Sequence, residues 1–439
     1  MRLKSLARRD RFPFHMPGHK GKFPSLFAGF DPTELPGLDN LHCPEGVLDR
    51  IQRRVAGIYR AEKTYFLVNG SSVGIMAAIM ALVKPGDHII VPRSCHKSVL
   101  AGLIHSGAMP IWIEQEFCLQ RNHWLPPTVE QVKGILASFP VRAALFTSPD
   151  YFGLVPPIRA LAELCHAANI PVIVDEAHGA HLAFGDNLGL PESAVAAKCD
   201  IIVQSPHKTL PALTQAAWMH LHDLQLAEPL QQTLNLFHTT SPSYMLLASL
   251  EYAGAYAKAQ GPKLLRRLSL LVRLLEQRGK QFNLGVWPRG SQRDWTKFLL
   301  QNRPGLPELL IGKGIFPEMV ESDKILFMLT MADALDPSGV AALLRVFPEV
   351  AKLPESIVGD RVLPPPLPVQ VCTPREIWFQ KGEKVPLDRA LGRIVRQVIA
   401  PYPPGIMIAA PGQQLSREQL EYLALLHRRR MVPEWVEVV

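Results

Sequence analysis

The sequence predicts an α/β protein. Its large first domain has a mostly parallel sheet, and a smaller α/β domain follows it along the chain. Two observations support this fold. From about residue 50 to residue 221, short β-rich runs that are apolar on both faces alternate with helical stretches. The 439 residues are also enough for two domains, which we place at residues 1–283 and 284–439.

The elements of the first domain follow from this alternation. Strands apolar on both faces are typical of βαβ units, in which helices cover both sides of the sheet. Turn signals such as KPGDH and AANIPV separate a helix from the next strand. The predicted strands are TYFLV, HIIVP, MPIWI, AALFTS, PVIVD, DIIVQS and AAWMHL, and the helices include GIMAAIMALV, SVLAGLIHSG and IRALAELCHAAN.

A long amphipathic helix, roughly residues 262–279, is predicted to close the first domain. In the second domain KFLLQN, KILFML and GIMIAA are predicted strands, and PSGVAALLRVF and REQLEYLALLHR are predicted helices. The proline-rich segment VLPPPLPVQVCTPRE has interleaved apolar residues, so we expect an ordered connection over the surface.

Composition excludes several classes of protein. With 47% hydrophobic and 20% charged residues and no run as long as a membrane span, the chain is typical of soluble globular proteins. Six scattered cysteines without a C-x-x-C pair indicate reduced thiols in a cytoplasm. The net charge of +8 is spread along the chain and predicts a solvated surface, not a nucleic-acid partner.

His15 and His19 flank Pro17 and Gly18, which argues against a metal-binding helix face. No metal is therefore expected.

Polar residues follow the strands where ligands bind in open parallel sheets, beyond the carboxyl ends. The turn NGSS lies between a strand and a helix, so free N–H groups and the hydroxyls of Ser71 and Ser72 could hold a phosphate. Plain capping of the helix by either serine is the alternative. His96 follows the next strand in the same way, where a histidine is otherwise an ordinary polar loop residue.

Two charged residues end two further strands. Asp175 follows PVIV, and its partly desolvated carboxylate needs a cation, either a basic side chain or a protonated ligand nitrogen. Lys208 follows DIIVQS. A lysine in apolar surroundings at a strand end tends to have a lowered pKa, and its free amine is suited to forming a Schiff base. A structural salt bridge between Lys208 and Asp175 is the alternative.

Taken together, these side chains match the needs of pyridoxal 5'-phosphate (PLP). This cofactor requires a phosphate cradle, a ring-stacking group, a carboxylate for its ring nitrogen and a lysine for its aldehyde. The candidates, in that order, are Ser71, Ser72 and Ser205, then His96, Asp175 and Lys208.

The chain also resembles the Orn/Lys/Arg decarboxylases, PLP-dependent enzymes with the aspartate-aminotransferase-like fold (fold type I). The matching motifs, in order, are HMPGHKG, DPTELPGLDNLHCPEG, NGSSVG, CHKS, TSPDYFG, DEAHGAH, SPHKTLPALTQ, TTSPSYMLLASLE and PYPPGI. DEAHGAH together with SPHKTLPALTQ is the most specific of them. In length the chain is similar to short members that lack an N-terminal wing domain.

The resemblance implies a role for each matching residue. Lys208 would be the Schiff-base lysine, Asp175 would face the ring nitrogen, and His96 would stack on the ring. His178 and His207 would lie close to the cofactor or substrate, and Ser71, Ser72 and Ser205 would hold the phosphate. The family's active site lies at a homodimer interface, so the neighbouring subunit's phosphate would be reached by Thr239, Thr240 and Ser241, and HMPGHKG would line the entrance.

The implied activity is decarboxylation of lysine, ornithine or arginine to an amine and CO2, as in polyamine biosynthesis. Lys208 and His207 are both candidates for the proton donor. Tyr151 could contact the cofactor or simply pack. Two departures, Ile75 for a common asparagine and Gln413 for the glutamate of a PGE motif, leave the substrate open. There are two alternatives. The chain could catalyse another PLP reaction, such as transamination or aldolase-like cleavage, or it could be a non-catalytic regulator of this fold.

Overall fold

The computed structural model describes residues 14, 16–20, 30–35, 37–185, 187–355, 362–401 and 406–439. The strands in the first part of the chain are β1 (Lys63–Leu67), β2 (His88–Pro92), β3 (Met109–Ile113), β4 (Phe117–Cys118), β5 (His123–Trp124), β6 (Val141–Thr147), β7 (Val172–Asp175), β8 (Ile201–Gln204) and β9 (Ala217–Leu221). The later strands are β10 (Lys297–Gln301), β11 (Met319–Val320), β12 (Lys324–Met328), β13 (Val369–Gln370), β14 (Glu383–Pro386), β15 (Gln413–Gln414) and β16 (Trp435–Val438).

The α-helices follow the same order. Those in the first part of the chain are α1 (Val47–Tyr59), α2 (Ser71–Leu82), α3 (Lys97–Ser106), α4 (Val129–Ser138), α5 (Ile158–Ala167), α6 (Pro206–Thr209), α7 (Ala227–Phe237) and α8 (Tyr244–Gln281). The later ones are α9 (Leu306–Gly312), α10 (Met331–Leu335), α11 (Ser338–Val350), α12 (Pro374–Trp378) and α13 (Arg417–Arg428). None of the helices in the described ranges combines the length and the apolar character needed to cross a bilayer.

A seven-stranded sheet in the order β1-β9-β8-β7-β6-β2-β3 organises the first part of the chain. Strands β3, β2, β6, β7 and β8 pair in parallel, and β9 runs antiparallel to both β8 and β1. The predicted α/β fold with a mostly parallel sheet is therefore confirmed. Asp175 pairs with Thr147 and Val203 on the central strands, so this carboxylate lies in the middle of the sheet edge.

Helix α2 lies unusually close to the sheet. A Cβ atom at Gly74 would come within 2.7 Å of Leu67 and 2.9 Å of Val203. Ile75, one of the departures from the family pattern, is buried next to it in the apolar cluster on this face of the sheet. The close approach fixes the N-terminus of α2 against the ends of β1 and β8.

Helix α8 corrects one sequence-based boundary. It is a single helix of 38 residues that begins at Tyr244, so the predicted start near residue 262 is wrong. Pro262 lies inside it, although proline lacks the N–H that a helix interior normally uses. Buried residues on both sides of this proline, among them Leu250 and Leu264, belong to one apolar cluster, and this packing outweighs the local preference.

The rest of the chain forms two packed groups. The antiparallel sheet β10-β12-β11 joins the same apolar cluster as α8, through residues such as Leu300 and Ile325. The pairs β13-β15 and β14-β16 surround a separate cluster that includes Val395 and Leu423. The domain boundary at residue 283 stays a prediction.

The predicted strand GIMIAA is wrong in its described part, residues 406–410. This segment forms only an isolated bridge between Ile399 and Ala409. Residues 407–410 are nevertheless buried. Burial, and not strand pairing, explains the apolar run.

Candidate active site

The site lies where three segments meet at the carboxyl edge of the sheet. The NGSS turn follows β1, the DEAHGAH loop follows β7, and α6 follows β8. The hydroxyls of Ser71 and Ser205 are hydrogen-bonded at 2.8 Å, which joins the first and third segments. The structure therefore brings together residues that lie 134 positions apart in the sequence.

The turn before α2 has the features of an anion site. Its N-cap residue is Gly70, with φ of 82°, and within the described part of the chain no side-chain cap hydrogen bond is formed at this helix end. Capping by Ser71 or Ser72 was the alternative interpretation, and it is wrong because both serines lie inside the helix. Uncapped N–H groups, the helix dipole and nearby hydroxyls together suit a phosphate.

Lys208 lies on α6 and contacts a histidine. Its Nζ atom is 3.0 Å from Nε2 of His178, and it forms no salt bridge with Asp175 among the described contacts. The structural salt bridge considered from the sequence is therefore wrong. Burial lowers the pKa of Lys208, and the charges of Asp175 and Glu318 only partly oppose this. A free amine is thus more accessible than on a solvated lysine.

His178 is buried and completes the surroundings of Lys208. Burial, with the positive charges of Lys208 and Lys297, holds the pKa of His178 well below its ordinary value, so the imidazole is neutral. Its Nδ1 atom has no hydrogen-bond partner among the described residues. The ring of Tyr151 meets that of His178 edge to face, with centroids 5.1 Å apart.

Asp175 accepts a hydrogen bond from the backbone N–H of Ala177 at 3.1 Å and is only 6% exposed. One of its oxygens is therefore held by the loop that carries His178. The fixed carboxylate could pair with a protonated ring nitrogen. The donors and acceptors of this edge fit PLP.

His96 lies at the N-cap of α3, where its Nδ1 atom accepts from the N–H of Ser98 at 3.2 Å. Burial lowers the pKa of His96; the charge of Asp175 opposes the shift, and that of Lys208 adds to it. These interactions place His96 near both residues. A neutral ring in this place suits stacking on a heterocycle.

His207 is turned towards the backbone. Its Nδ1 atom is 2.9 Å from the carbonyl oxygen of Ala216 and donates to it. This hydrogen bond does not involve the other ring nitrogen, Nε2. Burial is the main cause of the lowered pKa of His207.

The remaining predicted residues lie beside the phosphate turn or outside the described ranges. The N–H of Thr239 donates to Asn69 Oδ1 at 3.2 Å, and the N–H of Ser241 to Thr239 Oγ1 at 3.2 Å. Thr240 and Ser241 are exposed. Residues 15 and 21 of HMPGHKG, and residues 402–405 of PYPPGI, lie outside the described residues.

Sequence reasoning missed a second charged group close to His178. Lys297 and Asp294, at the start of β10, are buried near His178 and His181. Glu318 is exposed and accepts a hydrogen bond from Tyr151. The only signal in the sequence was the pair of charges in DWTK just before an apolar run, which a polar loop explains equally well.

Glu176, next to Asp175, is fully buried in a polar network. Its oxygens accept from the Ala194 N–H and from Gln204 Nε2, both at 2.6 Å. Burial raises the pKa of Glu176 to about 8, and its hydrogen bonds only partly compensate. Glu176 therefore binds its proton more tightly in the folded state than in the unfolded state, where the ordinary value is 4.5.

Glu176→Gln, which mimics the protonated acid, is expected to flatten the pH dependence of stability. The wild-type contribution is fully present below the unfolded pKa and is lost as pH rises to the folded value, by about 3 to 5 kcal/mol in all. Urea unfolding at about pH 5 and about pH 8 measures it. Equal losses of stability in the variant and the wild type between these pH values would contradict the assignment.

Comparisons with known proteins agree with this geometry. A model of the Orn/Lys/Arg decarboxylase major domain matches residues 1–280, and a model of that family's C-terminal domain matches residues 366–433. The chain belongs to the Orn/Lys/Arg decarboxylase family. The predicted resemblance is confirmed, and with it the prediction of an amino-acid decarboxylase.

Relatives of this decarboxylase align over most of its length. The arginine decarboxylase of Bacillus subtilis (strain 168) is 33% identical over 96% of this chain and 91% of its own. The constitutive lysine decarboxylase of Escherichia coli (strain K12) is 23% identical over 97% of this chain and 76% of its own.

Solved structures confirm the fold-type-I architecture of this decarboxylase. The E. coli constitutive lysine decarboxylase superposes with a TM-score of 0.83 at 19% identity, covering 100% of this chain and 81% of the other. Sphingomonas wittichii serine palmitoyltransferase gives a TM-score of 0.57 at 15% identity, covering 70% and 76% of the two chains.

Proposed function

We propose that this decarboxylase binds PLP covalently through Lys208 and converts a basic L-amino acid to the corresponding amine and CO2. The observation that carries the proposal is the environment of the Lys208 amine. It is partly buried, its pKa is lowered by burial, and it contacts neutral His178 at 3.0 Å. An amine that loses its proton easily is the form that reacts with an aldehyde.

Each part of the cofactor has candidate residues in this chain. The uncapped N-terminus of α2, with the hydroxyls of Ser71, Ser72 and Ser205, would hold the phosphate. When bound, PLP supplies a conjugated ring that accepts the electron pair left by departing CO2. Asp175 would keep the ring nitrogen protonated, and His96 would cover one face of the ring.

The reaction needs orientation and a proton. Residues around the pocket would hold the substrate so that the bond to the carboxylate stands perpendicular to the ring, and such positioning supplies much of the catalysis. Lys208 and His207 are the candidates for returning a proton to the α-carbon. His207 could use Nε2 for this, because Nδ1 is bonded to the Ala216 carbonyl oxygen.

The preference for a basic substrate is supported by one exposed carboxylate. Glu318 lies within electrostatic range of Lys208, accepts a hydrogen bond from Tyr151, and could attract a distal ammonium or guanidinium group. Gln413 is fully buried, and its Oε1 atom accepts from the Ala410 N–H at 2.7 Å, so it supports a turn. The choice among lysine, ornithine and arginine therefore needs a direct measurement.

A substrate panel tests the proposal. With PLP and no keto acid, we expect one of lysine, ornithine or arginine to release CO2 together with the matching diamine or agmatine. Norleucine, which lacks the distal cation, is the control and should react far more slowly. Amino-group transfer without CO2 would indicate an aminotransferase, and binding of PLP without any turnover would indicate a regulator.

We also propose a cytoplasmic homodimer with a shared active site, in which Thr239, Thr240 and Ser241 reach the neighbouring subunit's phosphate. The exposed hydroxyls of Thr240 and Ser241 beside the phosphate turn support this arrangement. All six cysteines are free thiols, which supports a reducing compartment. A role in polyamine formation would follow if the product is a diamine or agmatine.

A further inference from the structure

A row of four buried polar side chains crosses the large sheet, and we refer to it as the polar row. It starts at Glu176 after β7 and continues through Gln204 on β8 and His220 on β9 to Thr64 on β1. Oε2 of Glu176 accepts from Nε2 of Gln204 at 2.6 Å. Oε1 of Gln204 lies 3.1 Å from Nε2 of His220, whose Nδ1 lies 2.8 Å from Oγ1 of Thr64.

The polar row is enclosed by the protein. Glu176, Gln204 and His220 are 0% exposed, and Thr64 is 1% exposed. The ring of Tyr59, from the apolar cluster around α8, stacks on His220 with centroids 4.5 Å apart. Buried polar groups cost free energy unless their hydrogen bonds are made, and a row that makes them is rigid. The polar row therefore holds the segments that it contacts in a fixed place.

The DEAHGAH loop is folded over the first member of the polar row. The second carboxylate oxygen of Glu176 accepts the Ala194 N–H at 2.6 Å, and its backbone carbonyl oxygen accepts the Gly179 N–H at 2.9 Å. A Cβ atom at Gly179 would come within 2.5 Å of Cγ of Glu176. The loop thus closes directly over the Glu176 side chain, and it cannot shift unless that side chain moves as well.

This loop carries two residues of the candidate site. Asp175 directly precedes Glu176, and His178 lies in the turn that closes over it. Nε2 of His178 is 3.0 Å from Nζ of Lys208. The position of Glu176 therefore determines where the Asp175 carboxylate and the His178 ring lie relative to the lysine.

Gln204 has the same relation to the segment that follows β8. It directly precedes Ser205, whose hydroxyl is hydrogen-bonded to that of Ser71 at 2.8 Å. Lys208 lies on α6, which begins immediately after Ser205. Gln204 is thus the last strand residue before both the phosphate turn contact and the lysine.

Backbone pairing between the two segments weakens at this point. The Glu176 N–H donates to the Val203 carbonyl oxygen at 2.9 Å, and the next bond, from the Ser205 N–H to the Ala177 carbonyl oxygen, is 3.3 Å long. The shorter side-chain bond between Glu176 and Gln204 joins the bases of both segments where the sheet ends.

We propose that Glu176 and Gln204 are positioning residues. Their hydrogen bond keeps the DEAHGAH loop at a fixed distance from the phosphate turn and from Lys208. The bond persists when Glu176 is protonated, because the Gln204 amide and the His220 ring can both exchange donor for acceptor. That PLP spans this distance, from Asp175 to the phosphate turn, rests on the proposed function, whereas the hydrogen bond does not.

Binding of PLP and of inorganic phosphate to the full-length chain, freed of cofactor with hydroxylamine, tests the proposal. Gln204→Met keeps the length of the side chain but removes its amide. We expect its dissociation constant for PLP to rise about three- to tenfold, because one buried hydrogen bond is lost and the loop is no longer held. Inorganic phosphate needs only the phosphate turn, where Ser71 and Ser205 stay bonded, so its affinity should not change.

Two further variants separate positioning from stability. Exchange of the partners, Glu176→Gln with Gln204→Glu, rebuilds the hydrogen bond in the opposite sense and should restore the affinity for PLP. Thr64→Val removes the bond to His220 at the far end of the polar row and should lower stability without changing PLP affinity. Unchanged PLP affinity in Gln204→Met, an equal loss of PLP and phosphate affinity, or an equal loss in Thr64→Val would overturn the proposal.

If Gln204→Met does not fold, Gln204→Asn decides by the same criteria, since its side chain stays polar but is too short to reach Glu176. The proposed function fails separately, if the wild type itself binds no PLP on Lys208 or releases no CO2. Hydrogen–deuterium exchange of residues 176–181 then tests the positioning alone. Faster exchange in Gln204→Met than in the wild type and Thr64→Val supports it, and equal exchange in all three overturns it.

Discussion

Lys208→Ala is expected to lower turnover by about 10³-fold or more and to abolish covalent attachment of PLP. The variant lacks the amine that bonds the cofactor and one of the two candidate proton donors, and either loss alone is large. Initial rates of CO2 release measure the first effect. Borohydride reduction followed by peptide mapping measures the second, since the wild type should carry the reduced adduct on Lys208.

Two controls separate chemistry from charge. Lys208→Arg keeps a positive charge in the pocket but cannot bond an aldehyde, so it should be as inactive as the alanine variant. Lys133→Ala removes an exposed lysine from α4 and should leave activity unchanged. Full activity of Lys208→Ala, or an adduct mapped to another lysine, would refute the assigned role.

Asp175→Asn is expected to reduce kcat/KM by about 100- to 1,000-fold, because a fixed charge opposite the ring nitrogen would be lost. Asparagine retains an oxygen that can accept from the Ala177 N–H, so the loop should stay in place. We therefore expect near-normal folding and reduced affinity for PLP. Steady-state kinetics and titration with PLP measure the two effects.

Asp200→Asn is the matched control for this variant. Asp200 also accepts a backbone N–H, that of Val172 at 2.7 Å, but it lies at the opposite end of the central strands. Its substitution should affect stability more than kcat/KM. If both variants lose activity equally, Asp175 would have only a structural role.

The parts of this molecule that depend on local pattern could be predicted from the sequence. Strands that are apolar on both faces determine the parallel sheet, and ligand-binding residues in such a sheet follow the strand ends. Asp175 comes directly after an apolar run, and Ser205 and Lys208 follow the next such run within five residues, which is why they could be singled out. The contact between Ser71 and Ser205 agrees with that placement.

The parts that depend on long-range packing could not be predicted from the sequence. Nothing near Lys297 in the sequence indicates that its side chain is buried close to His178, because Lys297 lies on β10 of the small sheet and His178 follows β7 of the large sheet. Helix α8 continues through Pro262, since burial along its whole length outweighs the local cost of the proline. The apolar run GIMIAA resembles a strand in sequence, yet its apolar character is explained by burial without strand pairing.

The shared apolar cluster around α8 also limits how the enzyme can move. It extends from α1 through the large sheet to β10 and α11, so the large sheet and β10 belong to one packed body. Sliding these parts past each other would open gaps in a close-packed interior, which is costly. The sheet that contains β10 is therefore held rigidly against the large sheet. The last group of strands has its own interior, but Met407 and Ala410 pack into the apolar cluster on the other face of the large sheet, so this group is anchored there as well.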